Sequence, residues 1–359
     1  MGKRTIIPFG PQHPVLPEPI HLDLVLEDET VVEAIPSIGF IHRGLEKLVE
    51  KKDFQDYVYV AERICGICSL IHGYGYCHAV ENVMGVEVPE RAHFLRAVWS
   101  ELSRIQSHTL WLGLLADAFG FESLFMHTWR LREKILDIFD MTTGGRIIFS
   151  VLKVGGVRKD ITPELREKTL EILGGAEAEF KEITDVFIND ASVRSRLMGI
   201  GVLSKEEAHD LGAVGPMARG SGIDLDMRRT GYGAYGHLNF EPCVETGGDC
   251  YARCTVRIRE LFQSFGLIRQ CFELMPEGPV EAKVTGAPKG EYIGRLEQPR
   301  GEAVYYAKGN GTKFLERMRI RTPTFANVPA LVHTLKGCQL ADVPILVLTI
   351  DPCISCCER

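Results

Sequence analysis

"RICGIC" at residues 63–68 and "DPCISCCER" at 351–359 each hold a Cys-x-x-Cys pair, Cys65 with Cys68 and Cys353 with Cys356. Thiolates are soft ligands, and a Cys-x-x-Cys turn points two sulfurs at one ion. Each pair lies where an apolar segment ends, so both can face one buried centre. The fold then has to bring the two ends of a long chain together. Four sulfurs would serve zinc, an iron–sulfur cluster or another soft-metal site. A structural zinc usually staples a small unit with little core, whereas this chain is long enough to build its own core. Its two ends therefore point to a buried functional centre.

The composition sets the outer limits. The chain has 359 residues, 45% hydrophobic and 25% charged, as expected of a globular protein. A formal net charge of -7 and the lack of a long basic run give no reason to expect nucleic acid. The longest apolar stretch, "LWLGLLADAFGF" (110–121), is broken by Asp117 and is too short to cross a bilayer. "MGKRTIIPFGPQHP" lacks the apolar core of a secretory signal, so a cytoplasmic chain is expected. The 11 cysteines are irregularly spaced, which reads as thiols in a reducing compartment. Outside the two pairs, Cys77, Cys243, Cys250, Cys254, Cys271, Cys338 and Cys357 read as core side chains.

The pattern between the pairs is mainly helical. Residues 20–39 alternate apolar and polar around Glu27–Glu29, which predicts a hairpin. From residue 53 the spacing turns helical and runs into the first cysteine pair. Long helices are predicted over 89–120, 122–145, 162–190 and 249–276, with Thr162 as N-cap and Pro163 at the first helical position. Ser204 and Glu207 form a capping-box pattern. Residues 301–320 read as two strands joined near the glycines of 309–311, followed by a short helix near 327–337. The apolar run "ADVPILVLTIDPC" (341–353) carries the second pair inward. The expected architecture is mainly α (α+β): one domain over 1–359, with a β region at 1–50, a helical bundle at 51–280 and a mixed region at 281–359.

These segments carry a family resemblance. "ERICGICSLIH" (62–72) with "DPCISC" (351–356) resembles the two metal-binding motifs of [NiFe] hydrogenase large subunits. "PFGPQHP" (8–14), "HRGLEK" (42–47), "GGVRKD" (155–160), "GPMARGSG" (215–222) and "QPRGE" (298–302) are similar to the membrane-bound, energy-converting Ech-type (group 4) branch. They also resemble the 49 kDa-type quinone-site subunit of complex I, which lacks the cysteine pairs. The resemblance spans essentially the whole chain.

It implies a [NiFe]-hydrogenase large-subunit-like helical bundle and a binuclear nickel–iron centre with carbon monoxide and cyanide on the iron. Cys65 and Cys353 would bind nickel alone, while Cys68 and Cys356 would bridge to iron. His72 would hydrogen-bond a bridging thiolate. Pro299 and Arg300 would lie over the iron ligands, and Asp351 would pair with an arginine or cap the backbone. Glu18 would be the proton-gating carboxylate, with Glu46 its rival and Arg43 beside it in a coupling segment. Arg63 would serve structure or ion pairing, and His13 and His108 are weaker candidates. Relatives usually carry a histidine shortly after the second pair, often at a magnesium site. Here Cys357-Glu358-Arg359 follows instead, which puts a C-terminal magnesium in doubt. Many relatives also lose a C-terminal tail after metal insertion; this chain either lacks one or is in mature form.

No further cysteine motif offers an iron–sulfur cluster in this chain. The resemblance therefore implies a small subunit with a [4Fe-4S] cluster, a ferredoxin-like iron–sulfur subunit and ion-translocating membrane subunits. Reduced ferredoxin would supply electrons, protons and H2 would be the substrates, and the chain would sit peripherally on the cytoplasmic face of the membrane. Two other readings stay open: a non-catalytic coupling or quinone-site subunit, and a structural zinc protein with four cysteine ligands.

Overall fold

The computed structural model describes residues 4–359. Strands β1 (Arg4–Phe9), β2 (His21–Glu27) and β3 (Thr30–Ser37) form an antiparallel sheet in that order. The hairpin expected at 20–39 is β2–β3, and its turn uses Asp28 at φ 56, a conformation Asp tolerates. Leu22, Leu24 and Leu26 alternate into the core from one face of β2.

Helices α1 (Leu45–Leu48), α2 (Tyr57–Glu62) and α3 (Ser69–Met84) follow. The helical spacing that runs into the first cysteine pair is broken in the structure. α2 stops at Glu62 and α3 begins at Ser69, so Cys65 and Cys68 occupy the break. Next come α4 (Glu90–Ala118) and α5 (Glu122–Thr143), then a small hairpin of β4 (Leu152–Lys153) and β5 (Gly156–Val157), then α6 (Pro163–Asn189). Thr162 caps α6 by accepting the Leu165 N–H at 3.3 Å, as its sequence signature predicts. α7 (Ala191–Leu197), α8 (Lys205–Asp210), α9 (Pro216–Arg219) and α10 (Cys250–Leu274) complete the helical part. α8 carries the predicted capping box, with both Ser204–Glu207 bonds formed.

The C-terminal part has an antiparallel sheet of β6 (Lys289–Gln298), β7 (Gly301–Asn310) and β8 (Leu315–Arg321). The sequence pattern reveals β7 and β8 but misses β6, whose first half is largely solvent-exposed and carries Lys289, Gly290 and Glu291. α11 (Pro323–Leu335) starts four residues before the predicted helix, with Pro323 in its first turn. The apolar run of 341–353 forms α12 (Val343–Thr349), and the chain ends in α13 (Ile354–Glu358). The molecule is a helical bundle with small sheets near both ends.

α4 is its axis, buried on nearly every side. A helix enclosed in this way is a core element rather than an amphipathic surface helix. One hydrophobic cluster runs from Phe9 in β1 to Cys356 in α13. Into this core the fold also buries a lattice of ions. Arg219 pairs with Glu260 and Glu297, each at 2.8 Å. Arg228 pairs with Asp226 at 2.8 Å and with Glu101 at 3.2 Å, and His108 meets Glu260 at 2.9 Å. Buried charges cost several kcal/mol each unless they are paired. The lattice thus ties α4, α9, α10 and β6 into one relative position. No helix among the described residues is long and apolar enough to cross a membrane.

Candidate metal centre

The two cysteine loops meet in the core. The Cys65 and Cys353 sulfurs are 3.2 Å apart, and those of Cys68 and Cys356 are 3.5 Å apart. The sulfurs of Cys65, Cys68 and Cys356 all lie within 4.8 Å of one another. None of the four is in a disulfide, and each is at most 3% exposed. Within the packed cluster one thiol is favoured to give up its proton while Cys353 and Cys356 are pushed to keep theirs. The S–H groups of Cys353, Cys356 and Cys65 hold the Cys68 thiol well below the ordinary thiol range. Burial pushes Cys356 the other way. Such a donor set satisfies its charge best by closing on a soft cation.

Backbone anchoring holds both loops. Arg43 donates to the carbonyls of Arg63 and Ile64 on one side and of Ser355 on the other, at 2.9–3.1 Å. Gln106 of α4 donates to the Ile67 carbonyl at 2.6 Å, and Trp111 of α4 to the Leu348 carbonyl at 2.6 Å. Thr324 accepts the Cys353 N–H at 3.1 Å. Sequence reading places Arg43 in a coupling segment and misses Gln106, Trp111 and Thr324 altogether. Their signal was position on α4 and α11, which no local motif marks.

Arg300 and Asp351 are both buried. Arg300 Nη2 lies 3.0 Å from Asp351 Oδ1, and Arg300 Nε donates to the Asp351 carbonyl at 2.8 Å. Of the two roles its sequence position allows, Asp351 takes the pairing with an arginine, and the same guanidinium anchors its carbonyl; its carboxylate caps no backbone N–H among the described residues. It adopts φ 52 immediately before Pro352, where L-residues favour extended backbone. Strain of this kind costs of order 1–3 kcal/mol and persists where surroundings enforce it. Arg300 sits at the β6–β7 turn beside buried Pro299. That turn packs on "GPMARGSG": a Cβ on Gly215 would lie 2.3 Å from the Arg300 carbonyl oxygen.

A cavity of about 240 Å3 is lined by Glu18, Ile67, Leu110, Trp129, Arg300 and Asp351, among others. Arg300 Nη1 and Asp351 Oδ2 are buried without a hydrogen-bond partner. Convergent thiols and unpaired polar atoms beside an apolar cavity fit a metal centre with small bound ligands.

His72 Nε2 lies 3.2 Å from Cys356 Sγ, so the expected histidine–thiolate contact is present. Glu18 is half-buried, and its carboxylate accepts the N–H groups of Ile354 and Ser355 within the second cysteine loop. Burial pushes its pKa up, against the pull of Arg300 and of those two N–H groups. Glu46 is tied elsewhere. It accepts from Ile320 N–H at 2.8 Å and pairs with Arg359 at 2.7 Å and Arg319 at 3.3 Å. His13 packs on Phe9 with ring centroids 4.3 Å apart, in the β1–β2 loop. His108 belongs to the ionic lattice. Arg63 is exposed and donates to the Tyr59 carbonyl at 2.8 Å, a structural role. Cys250 and Cys254 are buried on α10, in keeping with helix-face packing.

Comparison with known proteins gives the family of the chain. Residues 118–287 and 282–359 match the family described as respiratory-chain NADH dehydrogenase, 49 Kd subunit. Residues 43–117, which hold the first cysteine pair, match the nickel-dependent hydrogenase family. The chain is 39% identical over 356 residues to the carbon monoxide-induced hydrogenase of Rhodospirillum rubrum, covering 98% of this chain and 99% of that one. It is 37% identical over 368 residues to a subunit of the F(420)H(2) dehydrogenase of Methanosarcina mazei, covering 100% and 98%. A solved structure of the membrane-bound sulfane sulfur reductase, an archaeal respiratory membrane complex, superposes with a TM-score of 0.94 at 30% identity, covering 99% of this chain and 98% of that chain.

Proposed function

The chain belongs to the family of large subunits shared by group 4 [NiFe] hydrogenases and the complex I 49 kDa subunit, and from that premise we propose that it is the catalytic subunit of an energy-converting hydrogenase. The convergence of four buried cysteine sulfurs carries this reading. Cys65, Cys68, Cys353 and Cys356 would together hold a nickel–iron centre through their sulfurs. A nickel–iron centre with carbon monoxide and cyanide on the iron supplies, when bound, reversible interconversion of H2 with two protons and two electrons. The electrons would come from reduced ferredoxin through partner iron–sulfur subunits, and membrane subunits would use the released energy to move ions.

The chain's own residues divide the remaining work. The cavity, lined by Ile67, Leu110, Leu114, Trp129 and Leu348 among others, is large enough to admit a small gas. Arg300 is fixed by Asp351 and keeps Nη1 free to donate to a ligand in that cavity. Glu18 lies between the second cysteine loop and a surface cleft that also contains His13 and Phe40. A carboxyl with a raised pKa at that position can take a proton from the cleft and hold it beside the Cys353 loop. Oε2 accepts both loop N–H groups, so the proton is carried on the other carboxyl oxygen, Oε1.

A second reading has its own observation. The 49 Kd subunit family matches 118–359, a longer stretch than the hydrogenase family matches. That favours a coupling subunit whose cysteines hold no catalytic centre. Substitution separates the two. Cys65→Ser or Cys353→Ser should abolish H2 activity and leave substoichiometric nickel, while Cys357→Ser should do neither. Full activity in Cys353→Ser would overturn the catalytic reading.

A further inference from the structure

A line of buried polar groups leads from β6 and β7 to the cysteine cluster. Gln298 Nε2 lies 3.1 Å from Tyr305 Oη, which lies 3.0 Å from His72 Nδ1. On the far side of the ring, His72 Nε2 reaches Cys356 Sγ at 3.2 Å. All four side chains are at most 1% exposed. Gln298 is the last residue of β6 and Tyr305 lies on β7, so both come from the sheet that also presents Arg300.

The hydrogens on this line are countable. A metal-bound thiolate accepts and cannot donate, so the hydrogen between His72 Nε2 and Cys356 must be on the nitrogen. In neutral imidazole Nδ1 is then bare and needs a donor. Tyr305 has one hydroxyl hydrogen, its oxygen already accepts from the Gln298 amide, and of the two acceptors in reach Nδ1 at 3.0 Å is much nearer than the Ile71 carbonyl at 3.5 Å. That hydrogen goes to Nδ1. The direction of every bond follows: Gln298 to Tyr305, Tyr305 to His72, His72 to sulfur. A histidine facing a metal site is commonly fixed in just this way, through the bond made by its other nitrogen.

A second observation shows that room is kept for the tyrosine. Gly75 lies three residues after His72 on α3, on the same helix face. A Cβ there would lie 2.1 Å from the Tyr305 ring. Glycine in a helix interior is destabilising relative to alanine, and here it lets α3 approach β7 closely enough for the ring to sit beside His72. His72 and Tyr305 meet edge-on, with ring centroids 6.1 Å apart and an interplanar angle of 75°.

We propose that Tyr305, itself held by Gln298, is the positioning residue that fixes His72 so that its Nε2–H points at the Cys356 sulfur. This rests on the metal-centre reading above, and it adds Tyr305, which lies outside the motifs that carry the resemblance. Without the hydroxyl, the ring loses the contact that distinguishes Nδ1 from the opposite carbon. It can then turn about its Cβ–Cγ bond and weaken the bond to sulfur.

The test uses the full chain labelled with 15N-histidine and loaded with zinc, a diamagnetic probe that keeps the four sulfurs as thiolates. His72 is assigned by difference from His72→Gln. The expected spectrum has an Nε2 carrying hydrogen and a bare Nδ1 whose signal is displaced by an accepted hydrogen bond. Tyr305→Phe should move the Nδ1 signal to that of a free nitrogen and broaden the Nε2–H signal, with zinc still bound. Gly75→Ala, which leaves the hydroxyl but displaces the ring, should do the same. In the holo-complex Tyr305→Phe should retain metal and lose about 10–100-fold in turnover, the scale found for partners of metal-site groups. Unmoved His72 signals in Tyr305→Phe, or hydrogen on Nδ1 in the wild type, would overturn the proposal while leaving the metal centre intact. Failure of zinc to bind the four sulfurs would instead strike the metal-centre reading itself.

Discussion

The Glu18 carboxylate accepts the N–H of Ile354, the residue next to Cys353. A carboxyl in that position can hold a proton beside the metal ligands, and glutamine copies its shape without that ability. Glu18→Gln should bind nickel and iron normally. Its exchange of H2 with solvent deuterium should fall by about 100-fold or more, the range for losing a positioned acid–base group. Glu46 is already committed to Arg359 and Ile320, so Glu46→Gln should keep that exchange. The reverse pattern would place the gate on Glu46.

Arg300→Lys keeps the charge at the cavity but loses the planar fork that binds Asp351 through Nε and Nη2 together. Metal content should be unchanged while turnover drops by about 100-fold, the scale for losing one preorganised donor. Wild-type kinetics with an intact centre would remove Arg300 from the reacting pocket.

Glu62 gives a pH-dependent prediction. It is fully buried at the end of α2, and burial pushes its carboxyl from 4.5 up to about 7. Between these values the folded state binds more protons than the unfolded state. The contribution of Glu62 to stability is therefore present below pH 4.5 and lost as pH rises through 7. Over the whole window that amounts to about 3 kcal/mol as an upper figure. Glu62→Gln has no such dependence. Its stability relative to wild type, read from urea midpoints, should rise between about pH 5 and pH 8. A pH-independent difference would show that Glu62 ionises as it does in water.

The ionic lattice makes a prediction about folding alone. Arg219 is shared by Glu260, Glu297 and Asp226, and all four are buried. Arg219→Met leaves three carboxylates without their common cation. Breaking a buried pair from one side costs about 3–5 kcal/mol. Denaturant unfolding should show a loss of that order, and a loss below about 1 kcal/mol would mean that the lattice relaxes around the gap.

Local signals made much of this legible in the sequence. Thr162 with Pro163 and the Ser204–Glu207 box announced their helices, because caps act within one turn. The two cysteine pairs marked the site, because a ligand turn is likewise local. Contacts made over long separations carried no such mark. Tyr305 lies 233 residues from His72, and its ring occupies space left by Gly75. Arg104, Arg219 and Arg228 carry no local mark of their partners, yet they are buried and paired across the bundle. The strand β6 was hidden because its exposed half carries a glycine and charges rather than alternating apolar residues.

The four sulfurs of Cys65, Cys68, Cys353 and Cys356 are the central claim, and metal content of the purified complex tests it most directly. One nickel and one iron are expected in this chain's centre, after subtraction of the iron held by partner clusters, with both lost in Cys353→Ser. A complex that holds no nickel would contradict the hydrogenase reading, whether it carried zinc on the four sulfurs or no metal there at all.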